Sequence, residues 1–378
     1  MVQSGLFVAV ASATLGVFTS TLQGCGRPVS PATKNSDPPT PSRAGVAFVA
    51  IGDWGGHNDD HPTTVEQIQT AGGMNKVARE IGASGVFMLG DNFYTHGVDK
   101  CESPRFQETF EDVYGKEEFL QNLPFHIIAG NHDHRGSVEA QLQYKGSARW
   151  NFPATHYLLQ KSWKTKNGGT ATADIVFIDT VELCGNSYDE HGNKMVGSKL
   201  PGPEHAGVAA QQWEWLEQKL STSTADFLWV AGHFPIYSVG EDGTTDRLVQ
   251  RLLPLLQKYG AHYLSGHDHM MEHFEADGVQ MFLAGAGRMC CYNDDLLDTV
   301  PSKAIRFYIS GDNARGPSVG PRQYKGDIYG GFMSIEFYDD FAKIIFYTQD
   351  GDVLYDPPAV PKRDKAALKL ISDYEFLS

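Results

Sequence analysis

Five apolar runs of strand length in this chain each end in a glycine followed by a residue able to ligate a metal ion. Val46 to Ile51 leads into Gly52-Asp53-Trp54-Gly55, and Gly85 to Leu89 leads into Gly90-Asp91-Asn92-Phe93-Tyr94. Phe125 to Ala129 runs into Gly130-Asn131-His132-Asp133-His134, Phe227 to Ala231 into Gly232-His233-Phe234-Pro235, and Ala261 to Ser265 into Gly266-His267-Asp268-His269. Strands that end this way deliver carboxylates, an amide oxygen and imidazoles to a sheet edge, where ligands bind. A single Asp after Gly is ordinary turn chemistry, but unrelated turns would not carry ligand types at five strand ends.

Asp53, Asp91, Tyr94, Asn131, His233, His267 and His269 are the candidate ligands. They are too many for one ion and suit two that share a carboxylate. Asp91 is the candidate bridge, because it shares a strand end with Tyr94 and lies between the other groups in chain order. Hard oxygens suit one cation, and imidazoles suit a borderline divalent one. A tyrosine, with a free pKa of about 10, becomes a ligand readily only for a strongly Lewis-acidic ion such as ferric iron. Asp133 and Asp268 are expected to orient imidazoles from behind. His126, His134, His262 and His273 read as structural, and Trp213 and Trp215 as core.

The positioning elements alternate between strand and helix. Pro62 to Ile81 carries Val65, Ile68, Met74, Val77, Ala78 and Ile81 at roughly helical spacing and predicts a helix broken or kinked at Gly72-Gly73. Gln211 to Leu220 and Leu248 to Tyr259 predict two more helices. From Val279 onward the pattern turns to strands at 280–284, 306–309, 332–338 and 343–348. An α/β layered architecture with an antiparallel C-terminal part follows.

With 378 residues, 41% of them hydrophobic, the chain can bury a sizeable core. Its net charge of −15 argues against a nucleic-acid partner, so any phosphate-bearing substrate must find positive charge locally. Residues 1–25 read as a secretory signal or anchor segment, apolar from Leu6 to Leu22 but without a charged leader. Residues 26–44, rich in proline, read as a linker, 45–356 as the catalytic domain and 357–378 as a tail. Export to the periplasm, the extracellular space or an endomembrane lumen is the expected destination. Membrane attachment arises only if the N-terminal segment is retained or lipidated. Beyond Cys25, the cysteines Cys101, Cys184, Cys290 and Cys291 allow three pairings, and a bond between adjacent Cys290 and Cys291 is disfavoured by strain.

The five glycine-led motifs, with Asp179 to Asn186 and Gly285-Ala286-Gly287, resemble the motif set of the purple acid phosphatases among the metallophosphoesterases, in particular its small tartrate-resistant branch. The resemblance covers roughly Val46 to Tyr355. It implies a sandwich of two mixed β-sheets flanked by helices. It also implies an acid phosphatase that hydrolyses phosphate monoesters, small esters or phosphoproteins, with a metal-activated hydroxide as nucleophile. Carried over motif by motif, Asp53, Tyr94 and His269 would hold Fe(III). Asn131, His233 and His267 would hold a divalent ion (Fe, Zn or Mn), and Asp91 would bridge. His132 matches the position that contacts the substrate phosphate. Such a pair of ions carries more charge than Asp53, Asp91, a Tyr94 phenolate and a hydroxide remove, so the site stays positive in an acidic protein.

Two departures limit the transfer. Asp242 stands where the branch has a histidine that assists the leaving group, and becomes the candidate acid here. Arg247 stands where the branch has the cysteine that pairs with the counterpart of Cys184. The segment 185–207 is long, rich in Gly and Pro, and lacks periodicity, which suits a lid or a solvated connector. In the resembling enzymes this loop restrains activity until a protease cuts it, and Asp189, Glu190 and Glu204 could offer carboxylates to the site. The alternatives to a monoesterase are a catalytically weak, membrane-linked phosphatase-like scaffold and a phosphodiesterase or nucleotidase of the same superfamily.

Overall fold

The structure, a computed structural model, describes residues 45–189, 191–195, 200–311 and 326–366. The expected signal segment and linker, Glu190, and the last part of the tail lie outside them. Among the described residues no helix is long and apolar enough to cross a membrane.

Two sheets face each other. The first runs, edge to edge, through Val353–Tyr355, Phe341–Thr348, Gly331–Phe337, Val46–Ile51, Val86–Met88, Phe125–Ile127 and Trp150–Asn151, with Val360–Pro361 added beside Phe341–Thr348. The ordered sheet therefore reaches past the expected domain end at 356. The second runs through Ile305–Ile309, Met271–Ala276, Val279–Ala284, His262–Ser265, Phe227–Ala231, Thr170–Phe177 and Tyr157–Lys164. The first is parallel from Val46–Ile51 to its Trp150–Asn151 edge and antiparallel in its other half, and the second has a parallel centre with antiparallel flanks, so both are mixed sheets, as expected.

The alternation of side chains along each central strand builds the layers. Phe48, Ala50 and Phe87 point between the sheets, where they meet Phe177, Trp229 and Phe282. Val49, Ile51, Val86 and Met88 point outward, onto Met74, Val77 and Ala78 of the helix Val65–Ile81. On the second sheet, Val176, Leu228 and Val230 cover Trp213, Leu216 and Leu220 of the helix Ala206–Thr222. Strands buried on both faces must be apolar throughout, which is why these read as continuous apolar runs.

The break expected at Gly72-Gly73 does not occur. Val65–Ile81 is one uninterrupted helix, capped by the Thr64 hydroxyl at its start and by left-handed Gly82 at its end. Gly73 serves close approach rather than bending. A Cβ there would lie 2.4 Å from the Gln349 carbonyl oxygen and 2.7 Å from the Gly351 nitrogen, whereas a Cβ on Gly72 would meet nothing within 4 Å. The helix expected over 248–259 starts with a π-helical turn, Leu248–Leu252, before Leu253–Tyr259.

Cys290 and Cys291 are joined to each other, against the expectation from strain. Cys101 is disulfide-bonded as well, and Cys184 is a free, buried thiol. Arg247 lines the same cavity as Cys184, where the resemblance places a partner cysteine.

The two glycines give opposite expectations in urea denaturation. Gly73→Ala should cost about 2 kcal/mol or more, because backbone cannot retreat from the new methyl. Gly72→Ala should be neutral or gain up to about 1 kcal/mol from helix propensity. Equal effects would mean that the turn at 349–351 does not press on the helix.

Candidate metal centre

The parallel strands of both sheets end at one rim. Gly52 donates to the Ala284 carbonyl and accepts from the Gly287 amide, at 2.7 and 3.1 Å, which ties the two sheet edges together. A Cβ on Gly266 would lie 2.6 Å from Asp53 Oδ2, and one on Gly130 would lie 2.2 Å from Asp91 Oδ1. Glycine is needed at both places because carboxylates fill the space. Asp53, Asp91 and His267 adopt positive φ, at 57°, 54° and 82°, which turns their side chains into the pocket.

The structure brings all seven expected ligands to this rim, and all are buried. Tyr94 Oη lies 2.9 Å from Asp53 Oδ1 and 2.9 Å from His269 Nε2. On the other side, His233 Nε2 lies 3.0 Å from Asn131 Oδ1 and 3.4 Å from Asp91 Oδ1. Donor atoms of Asp91, His233 and His267 all fall within 4.8 Å of one another.

The hydrogen-bond pattern around His233 calls for a cation. His233 Nδ1 sits 2.8 Å from the Leu89 carbonyl oxygen and must donate to it. In a neutral ring Nε2 is then an acceptor, yet it faces an amide oxygen and a carboxylate oxygen. Burial alone would lower the His233 pKa, but the charge and hydrogen bond of Asp91 push it up to about 10. The pocket thus demands a cation at that nitrogen, and a metal ion meets the demand as a proton does. Burial first, then like-charged neighbours, hold His267 and His269 well below the usual imidazole range, so their lone pairs are free to ligate. Burial raises Asp53 well above the carboxylate range, while for Asp91 the surrounding imidazoles outweigh burial and hold it well below. The donor set fits metal binding, with Asp91, His233 and His267 the tightest group.

His132 lies beside this set. Its Nδ1 is 2.6 Å from the Thr95 carbonyl oxygen, which leaves Nε2 as the acceptor, 3.2 Å from the Tyr188 hydroxyl. Its backbone N–H donates to Asp91 Oδ1 at 2.9 Å. Asp242 also lines the pocket, with Oδ1 unpartnered and 3.7 Å from His267 Nε2. Burial, then the Asp268 carboxylate, push Asp242 up to about 8.

Asp133 and Asp268 do not orient imidazoles, contrary to expectation. Asp133 accepts from the Gly130 and Asn92 amides and from Gln141, which stitches two ligand turns together. Asp268 accepts from the amides of Asp242 and Gly243. Both are used on backbone because the turns at the rim expose N–H groups that burial leaves without water. His134 is structural in the sense that it pairs with Asp179 at 2.7 Å, and Asp179 caps the short helix Thr180–Cys184.

Against expectation, the loop does not offer the Asp189 and Glu204 carboxylates to the pocket. Asp189 spends its carboxylate on the amides of His191 and Asn193, and Glu204 is exposed next to the helix Ala206–Thr222. The loop instead turns Tyr188 and Lys194 toward the pocket. Turn residues Asp189, Gly192 and Asn193 between Tyr188 and Lys194 were a readable hairpin signal. Arg105 left no such signal. It is 2% exposed and donates to the Tyr94 and Gly55 carbonyls at 2.6 and 2.7 Å, which clamps two ligand loops.

The profile of the calcineurin-like phosphoesterases matches residues 46–271. The chain belongs to that family. It is 37% identical over 324 residues to tartrate-resistant acid phosphatase type 5 of Oryctolagus cuniculus, a match that covers 85% of this chain and 92% of the relative. Purple acid phosphatase 17 of Arabidopsis thaliana is 28% identical over 323 residues, covering 84% and 85%. Among solved structures, GAP50, the anchor in the inner membrane complex of Plasmodium, matches with a TM-score of 0.65 and 25% identity over 86% of this chain and 94% of its own. The purple acid phosphatase resemblance and the two-sheet architecture are thereby shown. By family the chain is a phosphoric monoester hydrolase of the metallophosphoesterase kind, and its purple acid phosphatase relatives imply a dinuclear metal site.

Arg105→Met should cost about 2 to 4 kcal/mol in chemical denaturation, because two buried carbonyls lose their donor. Asp59→Ala should change little, since the Asp59 side chain is 87% exposed. Equal costs would place the clamp in the surface ion pair instead.

Proposed function

We propose that the chain is an acid phosphatase acting on phosphate monoesters, small esters or phosphoproteins, with a ferric and a divalent ion (Fe, Zn or Mn) at the rim. The observation that carries this reading is His233 Nε2 facing Asn131 Oδ1 at 3.0 Å and Asp91 Oδ1 at 3.4 Å, an arrangement of acceptors that a cation resolves. Asp53, Tyr94 and His269 would hold the ferric ion, Asn131, His233 and His267 the divalent one, and Asp91 both. Such a pair of ions supplies a water of lowered pKa as nucleophile and neutralises phosphoryl oxygens during in-line displacement.

The chain's own residues do the rest. His132, fixed by the Thr95 carbonyl through Nδ1, keeps Nε2 toward the pocket, where it can hold a proton against a phosphoryl oxygen. Asp242 lines the same pocket and is in place to serve the leaving oxygen as its acid. Burial of the whole set strengthens its electrostatic hold on a phosphoryl group. The apolar N-terminal segment suits delivery to the secretory route.

The similarity to GAP50, described as a membrane-complex anchor, supports a second reading in which the same fold serves as a membrane-linked scaffold. The full donor set weighs against it, since a scaffold has no need to bury seven ligand-type side chains in one pocket.

The purified protein should carry about two metal ions per chain, hydrolyse an aryl phosphate and show a visible charge-transfer band. Asp91→Ala should lose both ions, and Tyr94→Phe should bleach the band while retaining much of the activity. A colourless protein that contains iron would remove Tyr94 from the ligands. A metal-free protein without phosphatase activity would favour the scaffold.

A further inference from the structure

One wall of the pocket continues outward as a row of stacked groups. The Tyr94 and His132 ring centroids are 4.2 Å apart, and those of His132 and Tyr188 are 5.4 Å apart. All three rings line the pocket. A guanidinium closes each end of the row: Arg288 Cζ lies 4.1 Å from the Tyr94 ring centroid, and Arg135 Cζ lies 4.1 Å from that of Tyr188. The two arginines come from separate turns of the rim, one following Gly285-Ala286-Gly287 and the other following His132.

Neither guanidinium is neutralised, although the chain carries a net charge of −15. Arg79, Arg105, Arg149 and Arg306 each pair with a carboxylate, and Lys194 is shared by Asp242 and Glu241. Among the described residues Arg135 and Arg288 meet no carboxylate. Arg288 Nη2 has His57 Nδ1 at 3.4 Å and Met289 Sδ at 3.9 Å, and its Nε is buried without an acceptor. Both side chains remain partly exposed. A guanidinium that stacks through its face keeps its N–H groups at the edge, and that edge matches two oxygens of a phosphate.

Each arginine stands one aromatic ring away from His132. That is too far to share the phosphoryl group held at His132, and it suits a second anion several bonds along the same molecule. We propose that Arg135 and Arg288 form a subsite for a second phosphate, so that the favoured substrates are small phosphate monoesters whose alcohol part carries a further phosphate group. This rests on the phosphatase reading above and names its substrate class. With an arginine at both ends of the row, such an ester is held whichever end its alcohol part overlies. A remote phosphate bound equally before and during the reaction lowers KM and leaves kcat unchanged. Side chains that merely supported the Tyr94 and Tyr188 rings would affect singly and doubly phosphorylated substrates alike.

The test uses the full chain with its metals and compares fructose 1,6-bisphosphate with fructose 6-phosphate. The parent should show a KM about tenfold lower for the bisphosphate, the effect of one charge-assisted contact. Replacing both arginines, Arg135→Gln with Arg288→Gln, should bring the two KM values within about twofold of each other. Arg135→Lys with Arg288→Lys should keep most of the difference, because the charge stays, and added salt should shrink the difference in the parent. If the doubly substituted glutamine protein melts early, the single variants Arg135→Gln and Arg288→Gln carry the test, and at least one must raise the bisphosphate KM selectively. If the parent turns over neither sugar phosphate nor an aryl phosphate, the phosphatase reading falls and the inference with it. If it turns over both sugars with equal KM, or the glutamine protein keeps the difference, only the inference falls. A loss of kcat equal on both sugars would overturn it too, because the arginines would then support the rings rather than bind an anion.

Discussion

The carboxyl edges of the two sheets approach each other so closely that glycine alone fits where they meet. A Cβ on Gly52 would stand 2.9 Å from the Gly266 Cα, and the Gly266 and Gly130 sites are filled by the carboxylates of Asp53 and Asp91. This closeness lets side chains from both sheets share one pocket. It is maintained at a cost, since Asp53, Asp91 and His267 sit at positive φ, worth of order 1 to 3 kcal/mol each for residues with a side chain. The surrounding hydrogen bonds offset it: the Asp53 amide donates to Gly90, the His132 amide to Asp91, and the His267 amide to Asp53.

The same closeness concentrates negative charge in a protein that already carries −15. Two buried carboxylates, an amide oxygen, neutral imidazoles and a phenol have more lone pairs than protons to share. That excess explains why Asp91 drives His233 up to about 10, whereas burial first, then like-charged neighbours, hold His267 and His269 well below the usual imidazole range. Cations would resolve the excess and, in doing so, would make an acidic surface attractive to a phosphate dianion at one point.

The ligand rim was legible in the sequence because each ligand follows a buried strand and a glycine, so local pattern and tertiary position carry the same information. Asp242 was legible only by the family resemblance, and the structure brings it to the pocket. Other features depend on contacts that no local pattern records. Gly73 looks like a helix breaker and is in fact a contact point for the turn at 349–351. Arg105 carries no local mark in the sequence and is a buried clamp on two ligand loops. In the segment 185–207 the charge content pointed to carboxylates over the site. The turn formed by Asp189 and Asn193 uses that carboxylate internally and sends Lys194 inward instead.

Donors from both sheets are proposed to form one shared site around Asp91, and anomalous scattering from crystals of the purified protein would reveal it. Two peaks are expected, one among Asp53, Tyr94 and His269 and one among Asn131, His233 and His267, with Asp91 touching both. A single peak, or a second one that Asp91 does not reach, would contradict it.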